Sequence, residues 1–366
     1  MVKSIHARLA ISLITVSVMV YSCHSHNISQ VTRQPVDTVG FATRQWQTDS
    51  ILERIERFQA DKLAEAQSHF DPGTNLRVAI SPHDDYAYAG YLYPALLQYV
   101  RPKVVLMFGV GHKAKAFRIE DKLVFGSYSS WKSPAGTVHI SDLQAGIMKR
   151  LPKDFYIIHD SLQAAEHSLE ALVPFLEHNN RTITIIPVIV PCMSFNRMQL
   201  LAASLSEAVS ETMAQEGLIW GKDWSIIIST DAVHYGNEDW GGKNYDRFGV
   251  DSSGYMQTVA YEMSIVNDIL SGPLTLEKIR SFSECTVRED DYHEYKWTWC
   301  GRYCVPLGLL TAWNLAEKEG TPLTGIACGY STSIANETLP VHDLGMGTTA
   351  PARLAHWVGY AAIGYE

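Results

Sequence analysis

The 366-residue sequence has no basic surplus. Lys and Arg number 30 against 39 Asp and Glu, a formal net charge of −9, and no stretch gathers Lys and Arg together. Nucleic-acid binders generally carry such a footprint, so nucleic acid is not an expected partner. The chain also lacks a comfortable membrane span near its start. The apolar run 9–20 is shorter than the roughly 20 residues a crossing helix needs. There is no internal repeat and no long low-complexity linker after residue 75, which leaves one compact domain as the simplest organisation. Cysteine is scarce, with six in the chain.

What is present is an ordinary globular composition, 46% hydrophobic and 19% charged, with enough apolar material for a large core. Nine Trp and eighteen Tyr suit an aromatic-rich surface or pocket, although most aromatics pack cores. At the N-terminus, Lys3, His6 and Arg8 precede the 9–20 run, which ends in Val20, Tyr21, Ser22 and Cys23. This fits the apolar segment of a signal peptide. A small residue before Cys reads as a lipoprotein-type signal over 1–23, with Cys23 lipidated and the protein exported and anchored to a bacterial membrane surface. A plain signal peptide and an uncleaved anchor are the alternatives. Cys192, Cys285, Cys300, Cys304 and Cys328 then remain, an odd count that leaves a thiol unpaired. Cys300 and Cys304 could form a local disulfide, or lie one helical turn apart with one as a ligand.

Residues 24–44 are rich in Ser, Thr, Gln and Asn and read as a tether. Ile51, Ile55, Phe58 and Leu63 predict an amphipathic helix over 48–68, closed by Asp71, Pro72 and Gly73. Thus 24–75 is tether plus helix, and 76–366 is the main domain. There, apolar runs at 77–80, 104–110, 183–190, 225–229 and 324–327 alternate with helical stretches near 92–100, 141–151, 163–178, 196–215, 253–270 and 304–318. That alternation predicts an α/β fold, a single domain with a central mixed sheet flanked by helices.

Three of the apolar runs end in metal-competent residues. Residues 77–80 lead into His83, Asp84 and Asp85. Residues 104–110 lead into Gly111 and His112, and 225–229 into Asp231 and His234. Ligands bind beyond the carboxyl ends of strands in open α/β sheets, and imidazole is a common metal donor. One such His is more often hydrogen-bonded in a loop; three at one topological position favour a shared metal site of His83, His112 and His234. Gly109, Gly111 and Gly236 are expected to permit tight turns there. Asp160 or Ser161 with Gln163 reads as a capping box, placing Glu166 and His167 in the first helical turns. There Glu166 is either a dipole-complementing carboxylate or one that supports the metal or acts as a base. Cys300 is placed at a helix start, which lowers a thiol pKa; the alternative is a buried structural Cys. His69, His139, His159, His178, His293, His342 and His356 read as surface or core residues, and His24 and His26 lie in the tether.

These residues spell a family pattern. Pro82, His83 and Tyr86 with Ala89 and Gly90 resemble the P-H-A-G-Y-x-Y-S-G opening of the Memo family, the B protein of the AmmeMemoRadiSam system. Phe108 to His112 is similar to its L-G-P-x-H, and Trp131 to Gly136 to its W-x-T-P-L-G. Glu166 to Glu170 with Pro174, Phe175 and Leu176 resembles E-H-S-L-E-x-x-x-P-F-L. Ser229 to Gly236 resembles S-S-D-x-x-H-Y-G, and Cys300, Gly301 and Arg302 resemble C-G-R. The stretch 359–363 is similar to the last strand. The motifs run in family order over about 77–365.

The resemblance implies a fold shared with class III extradiol dioxygenases. It also implies a pocket lined by His83, His112, Asp231, His234 and Cys300 that binds iron or copper. The expected function is a metal-dependent oxidoreductase of unknown substrate, with Asp231, Cys300 and Glu166 as catalytic candidates. The alternative is a non-catalytic cell-surface protein whose pocket holds a peptide, small ligand or metal; metal-assisted hydrolysis is a third reading. The sequence departs from the family at Asp84 and Asp85, which replace Ala and Gly and are expected to favour a cation. It departs again at Lys113, which replaces a second His.

Overall fold

The computed structural model describes residues 31–366; the signal-type segment 1–23, Cys23, His24 and His26 lie outside them. Four strands form the parallel centre: β1 (Val78–Ser81), β2 (Val104–Val110), β3 (Thr184–Val190) and β4 (Trp224–Ser229), in spatial order β3-β2-β4-β1. Two longer strands, β5 (Thr324–Thr332) and β6 (His356–Tyr365), continue the sheet; β6 runs antiparallel to both β1 and β5. On the far side Gly136–Ile140 joins β3 in parallel and Ser130–Ser133 folds back on it. The sheet is therefore mixed, as the alternating pattern predicts.

The central strands read as continuous apolar runs because helices cover both faces. Successive side chains point to opposite sides. Val78, Ile80, Leu106, Phe108, Ile226 and Ile228 enter one buried cluster. Ala79, Val105, Met107 and Ile227 enter the other. Phe195–Gln215 and Cys304–Glu319 cover the first face; the helices of the N-terminal third pack into the second.

The differences from the sequence reading are local. The helix expected over 48–68 is two, Gln45–Phe58 and Ala60–Gln67, meeting at Gln59. Within the segment read as a tether, residues 31–44 are built into the fold. Thr32–Arg33 pairs with Ser130–Ser133, and Arg33 is buried in an ion pair with Glu170 at 2.6 Å. The helix expected over 163–178 is also two, Asp160–Ala165 and Val173–Asn179. Its cap is His159, whose Nδ1 accepts from the Leu162 N–H at 3.0 Å, rather than Asp160 or Ser161. Asp160 instead accepts from the Ser127 N–H at 2.7 Å. Among the described residues no helix is long and apolar enough to cross a membrane.

Candidate metal centre

Register aligns the strand ends. Ile80 pairs with Ile228 and Ser81 with Ser229, while Phe108 also pairs with Ile228. The carboxyl ends of β1, β2 and β4 therefore open at one edge, and His83, His112 and Asp231 follow each end by two residues. His234 begins a short strand, His234–Gly236, held antiparallel against β6. Of the three glycines, only Gly236 has positive φ, 127°. Gly109 lies inside β2, where a Cβ would sit 2.7 Å from Ser168 Oγ and Leu169 Cγ. It permits close approach of the 166–172 loop rather than a turn.

That loop sets His112. Glu166 Oε1 accepts from His112 Nδ1 at 2.8 Å and from the N–H groups of His167 and Ser168 at 3.1 and 3.3 Å. Its Oε2 accepts from the Lys113 N–H at 3.3 Å. Burial works to raise the Glu166 pKa, but the hydrogen bond and charge of His112, with His167, outweigh it and hold the carboxylate below its ordinary range. An ionised carboxylate only accepts. His112 therefore donates from Nδ1, and its neutral form presents a lone pair at Nε2. This is the carboxylate–histidine arrangement that orients metal ligands.

His83 is set the same way by a hydroxyl. Ser229 Oγ donates to the Ser168 carbonyl, which uses its one proton. Its 2.9 Å contact with His83 Nδ1 therefore has the imidazole as donor, and His83 Nε2 keeps its lone pair. That nitrogen lies 3.3 Å from Asp231 Oδ2 and 3.7 Å from Cys300 Sγ. Burial, then the neighbouring imidazoles His112, His167 and His234, push the His83 pKa well below its ordinary value. Burial raises Asp231 to about 7, although the His83 N–H donates to its Oδ1 at 2.9 Å.

Cys300 departs from expectation. The helix begins at Cys304, not at Cys300, and Cys300 is buried. Burial, and then the charge of Asp231, push its thiol well above the ordinary value instead of lowering it. Its sulfur accepts from the Asp231 N–H at 3.1 Å. Gly301 makes this possible, since a Cβ there would meet Thr230 Oγ1 at 2.2 Å. Cys300 and Cys304 are both free, and the Cys304 thiol donates to the Ser229 carbonyl at 3.3 Å.

Donor atoms lie within 4.8 Å of one another in three groups among the described residues: His83, His112 and Cys300; Asp231, His234 and Cys300; His112, Glu166 and His167. Cys300 thus bridges the histidines that the sequence grouped directly. His234 shares their surroundings, since burial and the charges of His112 and His356 lower its pKa to about 3. Its Nε2 is buried with no partner. His167 received no ligand role from the sequence, yet its ring stacks on His112 at 5.0 Å and meets His83 edge-on at 5.9 Å. The adjacent Glu-His-Ser motif was its only signal. Asp84 and Asp85 do not turn to this site. Asp84 accepts from Tyr360 at 2.6 Å and Asp85 from the Thr349 N–H at 2.6 Å. A cavity of about 420 Å³ opens beside His112 and Cys300.

The profile of Memo-like proteins matches residues 48–338. Similar curated proteins include a MEMO1 family protein of Pyrobaculum aerophilum, 26% identical over 168 residues, 44% of this chain and 54% of that one. A MEMO1 family protein of Pyrococcus furiosus is 23% identical over 194 residues, 51% and 60% of the two chains. One of Methanothermobacter thermautotrophicus is 25% identical over 169 residues, 45% and 56%. The chain thus spans about half the length of these relatives.

Proposed function

The chain belongs to the Memo-like family, and from that premise we propose that it is a metal protein whose ion is held by His83, His112 and Cys300. Asp231 and His234 complete the cage. The observation that supports this is the His83 Nε2 lone pair, which faces a carboxylate oxygen at 3.3 Å and a sulfur at 3.7 Å. The lone pair thus faces two raised acids, the Asp231 carboxyl and the Cys300 thiol, and a cation that displaces their protons would be held by all three. The unpartnered His234 Nε2 supports the same reading.

Two imidazoles and a thiol form a borderline-soft donor set, suited to copper or iron. Such an ion, when bound, supplies redox and Lewis-acid chemistry, so the proposed activity is that of a metal-dependent oxidoreductase. The residues have separate tasks. Glu166 and Ser229 fix the proton positions of His112 and His83. Asp231 is poised near pH 7 to hold or release a proton. Burial of His83, Asp231 and Cys300 excludes water. The same burial favours a second reading, a non-catalytic protein that retains its metal or ligand at the cell surface without turnover. Export and lipidation at Cys23 are also proposed, on the sequence pattern alone; loss of membrane fractionation in Cys23→Ala tests them.

The deciding test is metal content, measured by mass spectrometry on untagged protein purified anaerobically, beside His83→Ala/His112→Ala. Near-stoichiometric iron or copper, absent from the folded variant, is the expected result. Zinc would shift the activity to hydrolysis, and no metal in either protein after reconstitution would sink the proposal. Oxygen uptake with phenolic and thiol substrates then separates oxidoreductase from binder.

A further inference from the structure

Arg302 is the charge that the proposed metal chemistry does not use. It is only 9% exposed. Its Nη2 donates to the His293 carbonyl at 2.9 Å, but Nε and Nη1 are buried without partners. Its guanidinium lies 3.4 Å from the ring centre of Tyr295 and 4.8 Å from that of Tyr303. This cation–π packing holds it in place. Among the described residues no carboxylate pairs with it. A buried cation with unmet donors is costly until a counter-charge arrives.

Arg302 lines the cavity of about 420 Å³ that His112 and Cys300 also line. Lys115 and Arg118 line it too, and among the described residues neither forms an ion pair. The opposing charge in that lining is Glu120, which already lies 3.5 Å from His293. Ile119, Val190 and Tyr303 give the cavity apolar walls. Its volume is that of a small-molecule site.

We infer that this cavity binds a small organic anion with an apolar body, its charge met by Arg302 and drawn in by Lys115 and Arg118. The inference deepens the proposed function by naming the ligand class of the same site, and it rests on that reading for its significance. The binding step itself needs no metal.

The test is calorimetry on metal-free full-length protein with benzoate, neutral benzamide and acetate. Benzoate is expected to bind at least about tenfold more tightly than benzamide or acetate, the effect of a charged hydrogen bond and of apolar contact. Arg302→Met should reduce benzoate to the benzamide level. Lys115→Gln/Arg118→Gln, at exposed positions that leave the fold intact, should weaken benzoate about threefold and flatten its salt dependence. Benzoate binding no better than benzamide or acetate, or no binding by any of the three, overturns the inference. If Arg302→Met does not fold, the wild-type comparison and the double variant decide. Metal content is measured separately, so failure here with metal uptake intact spares the metal centre, and the reverse result spares the anion site.

Discussion

The two sides of the candidate metal centre use their hydrogen-bonding capacity differently. On one side, His83 and His112 each have Nδ1 committed, to Ser229 and to Glu166. Their Nε2 atoms are left as fixed donors to a cation. On the other side, His234 Nε2 has no partner, Asp231 is raised to about 7, and the Cys300 thiol is pushed well up. The first side is organised before any ion arrives. The second is incomplete without one, and its protons must leave when an ion enters.

The largest expected effect is on the organised side. His83→Ala/His112→Ala should lower affinity for iron(II) or copper(I) by more than about 100-fold, because even residues behind the ligands are worth 10–100-fold. Competitive chelation measures it, and a loss below tenfold would erase the distinction. The next test is pH. Cys300 stays protonated below its raised pKa, so binding through its sulfur releases one proton. Affinity should therefore fall about tenfold per unit, or about 100-fold from pH 8 to pH 6. Protonation of Asp231 adds to that fall below about 7. His83 and His234 are already neutral throughout, since their pKa values are lowered, so they add nothing. A flat profile would mean that the thiol is not a ligand.

Glu166→Gln should cost roughly 10–100-fold in metal affinity, without altering the donor atoms themselves. Wild-type affinity in this variant would show that the hydrogen bond to His112 orients nothing. The smallest effect should appear in metal-free protein. His234→Phe removes an unpartnered buried nitrogen, a group that costs about 1–3 kcal/mol when unsatisfied. Its thermal stability should stay level or rise, whereas Glu166→Gln should be less stable than wild type. Marked destabilisation by His234→Phe would show that the second side is as well satisfied as the first.

Much of this was legible in the sequence. Apolar runs buried on both faces could not be confused with loops, and their parallel order brought His83, His112 and Asp231 to one edge. What the sequence hid was decided by tertiary contacts. The 163–178 pattern has helical periodicity throughout, yet Glu166 ends the first helix there and collects N–H groups from its own loop and from Lys113. His167 enters the site only because of that break. Cys300 was misplaced because its motif resembles a helix start, while the helix begins four residues later and burial governs the thiol. Asp84 and Asp85 carry the charge expected beside a cation, but Tyr360 and Thr349, distant in sequence, turn them away. Arg302, one residue of a three-residue motif, gave no sign of being buried without a counter-ion.

The N-terminal edge of the fold has a mechanical consequence. Arg33 donates to the Gln163 carbonyl at 2.7 Å and to the Glu166 carbonyl, and pairs with Glu170. One side chain therefore fastens the strand at residues 32–33 to both ends of the loop behind His112. A force pulling on residue 31 would load the pairing of Thr32–Arg33 with Ser130 and Trp131 together with this fastening. Because Arg33 also holds the Glu166 carbonyl, a load on this edge strand would reach the loop that orients His112 as well as the sheet.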